Sequence, residues 1–143
     1  MQEILTPLLA FLRATLQDED LLNAYSEADL VTADGTGILL ASRLFGCALP
    51  ERVTGIDLME ALCASASDRG DRVFFLGAKP GIADLAMQNL TARYPGLNVV
   101  GARHGFFEAN DEGKLISHIN ESRPDLLFVG MGVPKQESWI MEN

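Results

Sequence analysis

Four short stretches of nearly unbroken apolar and β-branched residues punctuate the chain: Leu30–Ala33, Arg72–Leu76, Leu97–Gly101 and Leu126–Gly130. Runs of this length without polar alternation suit strands covered on both faces, as in a parallel sheet. Between them, apolar residues recur at helical spacing. Leu8, Leu9, Leu12 and Leu16 form a stripe that predicts a helix over Thr6–Gln17, with Thr6 as N-cap and Pro7 as the first helical residue. Further helices are predicted over Thr36–Phe45, Asp57–Ser67, Gly81–Tyr94, Asp111–Glu121 and Pro134–Met141. Gly55, Gly70, Pro95-Gly96 and Pro124 punctuate them.

Strands alternating with helices through short polar turns define an α/β chain with a mostly parallel sheet flanked by helices. Right-handed crossovers place the carboxyl ends of the strands on one edge, and ligands bind outside that edge. No internal repeat, low-complexity tract or long linker interrupts the pattern, so a single domain over residues 1–143 is expected.

Composition narrows the function classes. With 48% hydrophobic and 22% charged residues the chain is an ordinary folded domain, not a disordered or disulfide-rich one. A formal net charge of -9 argues against a nucleic-acid partner and against unaided docking on an anionic membrane. The longest apolar runs fall short of the roughly 20 residues that a membrane span needs. Cys47 and Cys63, the two cysteines, sit in apolar helical contexts without metal-ligand spacing and read as reduced core residues. No signal peptide precedes them, which makes the cytoplasm the expected address.

The unusual residues collect at the strand ends. Asp34 follows Leu30-Val31-Thr32-Ala33 and faces a Gly turn that opens a helix. A carboxylate there can act as a general base, and it can equally cap the helix or steady the turn. Gly77-Ala78-Lys79-Pro80-Gly81 joins a strand to a helix start, where backbone N–H groups and Lys79 suit an anion; a plain turn would look the same. His104 reads as an acid, a phosphate donor or a turn residue. Beside it, Phe106 and Phe107 offer a ring to stack on a base, or core residues, and one of the two is expected in the core. In Gly130-Met131-Gly132-Val133-Pro134-Lys135-Gln136-Glu137 a strand breaks into glycines that permit close ligand approach, then into a polar helix start. Solvated helix residues are the plain alternative for Lys135, Gln136 and Glu137.

Taken together, Ala28-Asp29-Leu30-Val31-Thr32-Ala33-Asp34-Gly35, Glu51-Arg52-Val53-Thr54-Gly55-Ile56-Asp57-Leu58, Phe75-Leu76-Gly77-Ala78, His104-Gly105-Phe106-Phe107 and the Gly130–Glu137 stretch resemble, in family order, the WecG/TagA/CpsF bacterial glycosyltransferases. The resemblance implies a Rossmann-like fold and an inverting, metal-independent transfer that uses no cofactor. The donor it implies is a UDP-sugar of the N-acetylmannosamine or mannosaminuronate type, and the acceptor a sugar on undecaprenyl diphosphate. The products serve teichoic acid, common antigen or capsule synthesis. No DxD-type acidic pair is placed to hold a metal–diphosphate complex, in agreement.

By position, Asp34 matches the family's proposed base, Thr6 the threonine that contacts the donor, and Gln136 the pocket glutamine. Phe106 stands where the family often has Tyr. Arg52 and Asp57 are expected to shape the acceptor side or the turn. Gly77, Lys79, His104, Gly130, Gly132 and Lys135 complete the expected substrate-binding set.

Leu8 replaces the Asn that usually follows two residues after the threonine. Starting at Met1 and stopping at Asn143, the chain is expected to lack a leading strand, a later strand and the basic C-terminal appendage with which longer relatives touch the inner leaflet transiently. It is therefore expected to bind UDP but turn over poorly. The partner set admits a homo-oligomer. Two rival readings are a nucleotide-binding module without catalysis and a nicotinamide-dependent oxidoreductase; against the latter, Gly35-Thr36-Gly37 lacks the third fingerprint glycine.

Overall fold

The structure, a computed structural model, describes residues 4–5 and 19–143. The predicted helix over residues 6–17, with Thr6 and Leu8, lies outside these residues. In chain order the elements are β1 (Ile4–Leu5), α1 (Glu19–Glu27), β2 (Leu30–Val31), α2 (Thr36–Leu44), α3 (Gly55–Arg69), β3 (Arg72–Gly77), α4 (Ile82–Arg93), β4 (Asn98–Arg103), α5 (Ala109–Ser122), β5 (Leu126–Gly130) and α6 (Lys135–Glu142). The alternation is that of the predicted Rossmann-like α/β class. Two compact units divide the chain: Met1–Leu58 with Val133–Glu142, and Met59–Gly132 with Asn143.

The second unit is built on a parallel sheet of order β4-β3-β5. Its centre, β3, is buried from Val73 through Gly77, which is why this segment reads as an unbroken apolar run. Alternate side chains go to opposite faces. On one face Val73 and Phe75 join Cys63 and Ala66 of α3 and Leu90 of α4, and Phe75 stacks on Phe128 of β5 with ring centroids 5.4 Å apart. On the other face Phe74 meets His118 of α5 edge-on at 5.6 Å.

Phe74 also explains an irregularity in β4. Val73 pairs with Val99 but Phe74 pairs with Gly101, so one residue of β4 is left over. The shift sets a glycine against the Phe74 ring, where a Cβ would come within 2.3 Å of Cε2. At the entrance to the sheet, Arg72 N–H donates to Asp125 Oδ2 at 2.8 Å and Asp125 N–H donates to the Arg72 carbonyl at 2.8 Å. These bonds tie the starts of β3 and β5.

In the first unit β1 runs parallel to β2, with Ile4 opposite Leu30 and Leu5 opposite Val31. The chain therefore has a leading strand, contrary to expectation, because two residues suffice to pair with an equally short β2. α1 has no counterpart among the predicted elements. It packs on α6, burying Leu21 and Ala24, while α6 buries Glu137 and Trp139. Cys63 is buried as expected, but Cys47 is exposed. It follows Phe45 and Gly46, where α2 has ended and Gly46 takes φ 76°, so Cys47 belongs to a turn rather than to a helix face.

No helix among the described residues is long and apolar enough to cross a membrane.

Candidate functional site

The sequence-selected residues fall into two groups, one in each unit. In the first unit, β2 delivers Asp34 just past its carboxyl end. The N-cap of α2 is Gly35, and Asp34 does not cap that helix. Its Oδ2 instead accepts from the Gly55 N–H at 3.3 Å, while the neighbouring Ala33 carbonyl accepts from Val53 N–H at 3.0 Å. Asp34 thus receives the first N–H of α3, one of the donors that a helix start leaves without a partner in its own helix. Among the described residues no donor engages its Oδ1. Asp34 is partly buried, and its carboxylate is held through Oδ2.

Two residues of the Glu51–Leu58 stretch build the start of α3. Thr54 Oγ1 accepts from the Asp57 N–H at 3.1 Å and donates to Asp57 Oδ2 at 2.6 Å, a capping arrangement. Asp57 is therefore engaged in the helix cap. Arg52 lies just before it, exposed.

Lys135, Gln136 and Glu137 open α6. Lys135 is exposed and Gln136 partly buried, whereas Glu137 is 2% exposed. Gln136 Nε2 donates to Glu137 Oε1 at 2.8 Å, and the Tyr25 hydroxyl of α1 donates to the same oxygen at 3.4 Å. Burial, and then the Glu137 charge, pushes the Tyr25 phenol well above its ordinary range, so Tyr25 stays a donor.

The second group lies at the carboxyl edge of the β4-β3-β5 sheet. Ala78 N–H donates to the Gly130 carbonyl at 2.9 Å and Gly105 N–H donates to the Ala78 carbonyl at 3.0 Å, so the ends of the three strands are laced together. Only glycine fits at Gly77: its φ is 147°, and a Cβ would lie 2.3 Å from the Gly130 carbonyl oxygen. Gly132, with φ 81°, has open space where a side chain would be. Lys79 stands exposed in the turn before α4. His104 Nδ1 is buried without a hydrogen-bond partner among the described residues. Phe106, next but one, projects a ring that is 65% exposed, while Phe107 is half-buried. Of the two aromatics, Phe106 is the exposed one.

The structure therefore gathers Gly77, Lys79, His104, Phe106, Gly130 and Gly132 in the second unit, and Asp34, Arg52, Asp57, Lys135 and Gln136 in the first. Thr6 lies outside the described residues. Two residues of interest were not singled out from sequence. Glu137 was visible only as a member of the last motif, and Tyr25 carried no signal because its helix was not foreseen. Glu19 and Asp20 form the first turn of α1 and suit the helix dipole. Among the described residues no three His, Cys, Asp or Glu side chains come together as a metal-ligand set.

Comparison with known proteins gives the chain its relatives. It is 38% identical over 120 residues to the N-acetylglucosaminyldiphosphoundecaprenol N-acetyl-beta-D-mannosaminyltransferase of Staphylococcus aureus strain NCTC 8325 / PS 47, a match covering 84% of this chain and 46% of that protein. The same-named proteins of strains COL and MSSA476 match equally, at 38% over the same shares. The chain thus spans about half the length of the curated relatives it matches. The sequence model of the Glycosyl transferase WecG/TagA/CpsF family matches residues 2–143, nearly the whole chain, and the chain belongs to that family.

Proposed function

We propose that this chain is the nucleotide-sugar-handling part of an inverting glycosyltransferase. In this reading it moves an N-acetylmannosamine-type sugar from a UDP donor to a sugar on undecaprenyl diphosphate, at the cytoplasmic face of the membrane. The acceptor and the transferred sugar are those in the name of the Staphylococcus aureus relatives. The observation that carries the reading is Asp34: a carboxylate at a strand end, with one oxygen fixed by the Gly55 N–H and the other without a donor among the described residues.

The chemistry follows from that arrangement. Asp34 accepts the proton of the acceptor hydroxyl as its oxygen attacks the anomeric carbon. The bond from that carbon to the diphosphate oxygen breaks on the opposite face, UDP leaves with the electron pair, and the configuration inverts. The Gly55 N–H keeps the carboxylate in place before the step. The open space beside the backbone at Gly130 and Gly132, with the exposed Lys79 in the turn before α4, supports diphosphate binding, and the exposed Phe106 supports stacking on uracil. Gln136, Lys135, His104 and Thr6 are assigned to the donor, and Arg52 to the acceptor side. Asp57 acts indirectly, through the cap of α3.

Incubation with UDP-N-acetylmannosamine and an undecaprenyl-diphosphate-linked N-acetylglucosamine analogue tests the reading. The expected result is release of UDP together with a disaccharide-lipid whose new linkage is inverted relative to the donor. Retention of configuration would remove Asp34 from the role of base, and failure to bind UDP would remove the donor assignment.

A further inference from the structure

Among the described residues Glu137 is the only charged side chain that is buried. Taking a carboxylate out of water is costly unless its oxygens are hydrogen-bonded. Oε1 is served twice, by Gln136 and Tyr25, while Oε2 has no partner among the described residues. Adjacent side chains on a helix do not face each other, so the 2.8 Å bond from Gln136 to Glu137 is not a by-product of helical spacing. Because an ionised carboxylate only accepts, chemistry commits the nitrogen end of the Gln136 amide to it and fixes which way the amide turns. The partly buried, neutral Tyr25 phenol donates to the same carboxylate oxygen and anchors it from α1.

We propose that Glu137 is a positioning residue whose buried carboxylate, seated by Tyr25, holds the Gln136 amide in the single orientation in which it meets a bound nucleotide-sugar. The proposal rests on the assignment of Gln136 to the donor made above. Glu137 itself touches no substrate. The competing role is purely structural, a link between α1 and α6 through Tyr25.

Two measurements on the protein separate these roles. The first is the side-chain NH2 resonance pair of Gln136 in the free protein, identified by its disappearance in Gln136→Ala. The pair should be widely split in the wild type and collapse toward that of a solvated glutamine in Glu137→Gln. Tyr25→Phe keeps the carboxylate, serves where Glu137→Gln does not fold, and should move the pair in the same direction by less. A pair unmoved by these substitutions overturns the proposal.

The second is titration with UDP-N-acetylmannosamine. Glu137→Gln should weaken binding by about tenfold, equivalent to about 1.4 kcal/mol. The same substitution made in Gln136→Ala should change affinity less than about twofold, because its route to the ligand is gone. Equal weakening in both backgrounds is the mark of a structural link and overturns the proposal. A wild-type protein that takes up no UDP-N-acetylmannosamine removes the donor assignment instead, and the amide resonances still decide whether Glu137 orients Gln136.

Discussion

Single residues here are constrained by contacts that composition does not reveal. Gly77 combines φ 147° with a backbone carbonyl 2.3 Å from any added Cβ, so Gly77→Ala must displace either β3 or β5. We expect it to cost more than about 2 kcal/mol, within the range for strained backbone positions and overpacked cores, measured by urea unfolding. The two thiols should behave differently. Exposed Cys47 should be alkylated at once, and Cys63 only as the protein unfolds, which mass spectrometry of timed samples reads directly.

Burial, then Glu60, raises the Cys63 thiol above its ordinary value of 9.0, and Tyr25 is raised above 10.0. Both groups lose a proton more readily in the unfolded chain. Their contribution to stability is therefore fully present below pH 9 and is lost as pH rises above it, so unfolding midpoints should fall from about pH 9 upward. Tyr25→Phe should flatten that fall. The burial of Glu137 was not legible in the sequence, since a Glu in the first turn of a short polar helix reads as solvated; its partner Tyr25 lies 112 residues away.

Elements were legible in proportion to how far their packing is written in local pattern. β3 and β5 emerge within a residue of their predicted limits, because both are unbroken apolar runs, β3 buried from Val73 onward and β5 partly buried through Val129. β4 runs two residues further than predicted, to Arg103, since register with β3 extends the pairing beyond the glycine at which a strand is expected to weaken. α1 was missed: its nine residues carry two buried side chains, too few to set a helical period apart from a polar connection. α3 starts two residues earlier than predicted because Thr54, not Gly55, terminates it. Thr54→Ala removes the cap to Asp57 and should lower stability by about 1 kcal/mol, seen as a reduced unfolding midpoint by circular dichroism. Asp34→Asn should leave the same element intact, because the amide keeps an oxygen for the Gly55 N–H.

At the scale of the whole molecule, the α/β class and the family were readable from motif order along the chain, whereas the division into two compact units was not, since it falls inside one continuous helix at Leu58 and Met59. Each unit carries part of the residue set that the motifs had named. Recognition of the nucleotide and the chemistry are assigned to different residues, the chemistry to Asp34 alone. Ligand specificity gives a simple check of the first half: UDP should raise the Tm, and go on raising it with the logarithm of its concentration above Kd, and NAD should leave it unchanged. The most direct test of the central claim is the transfer rate of Asp34→Asn, measured beside its affinity for UDP. Loss of the base should lower transfer by about 10²–10⁴-fold while UDP affinity stays within about twofold. Transfer at the wild-type rate by a protein that still binds UDP would contradict the account, because the proton of the acceptor hydroxyl would then have left by another route.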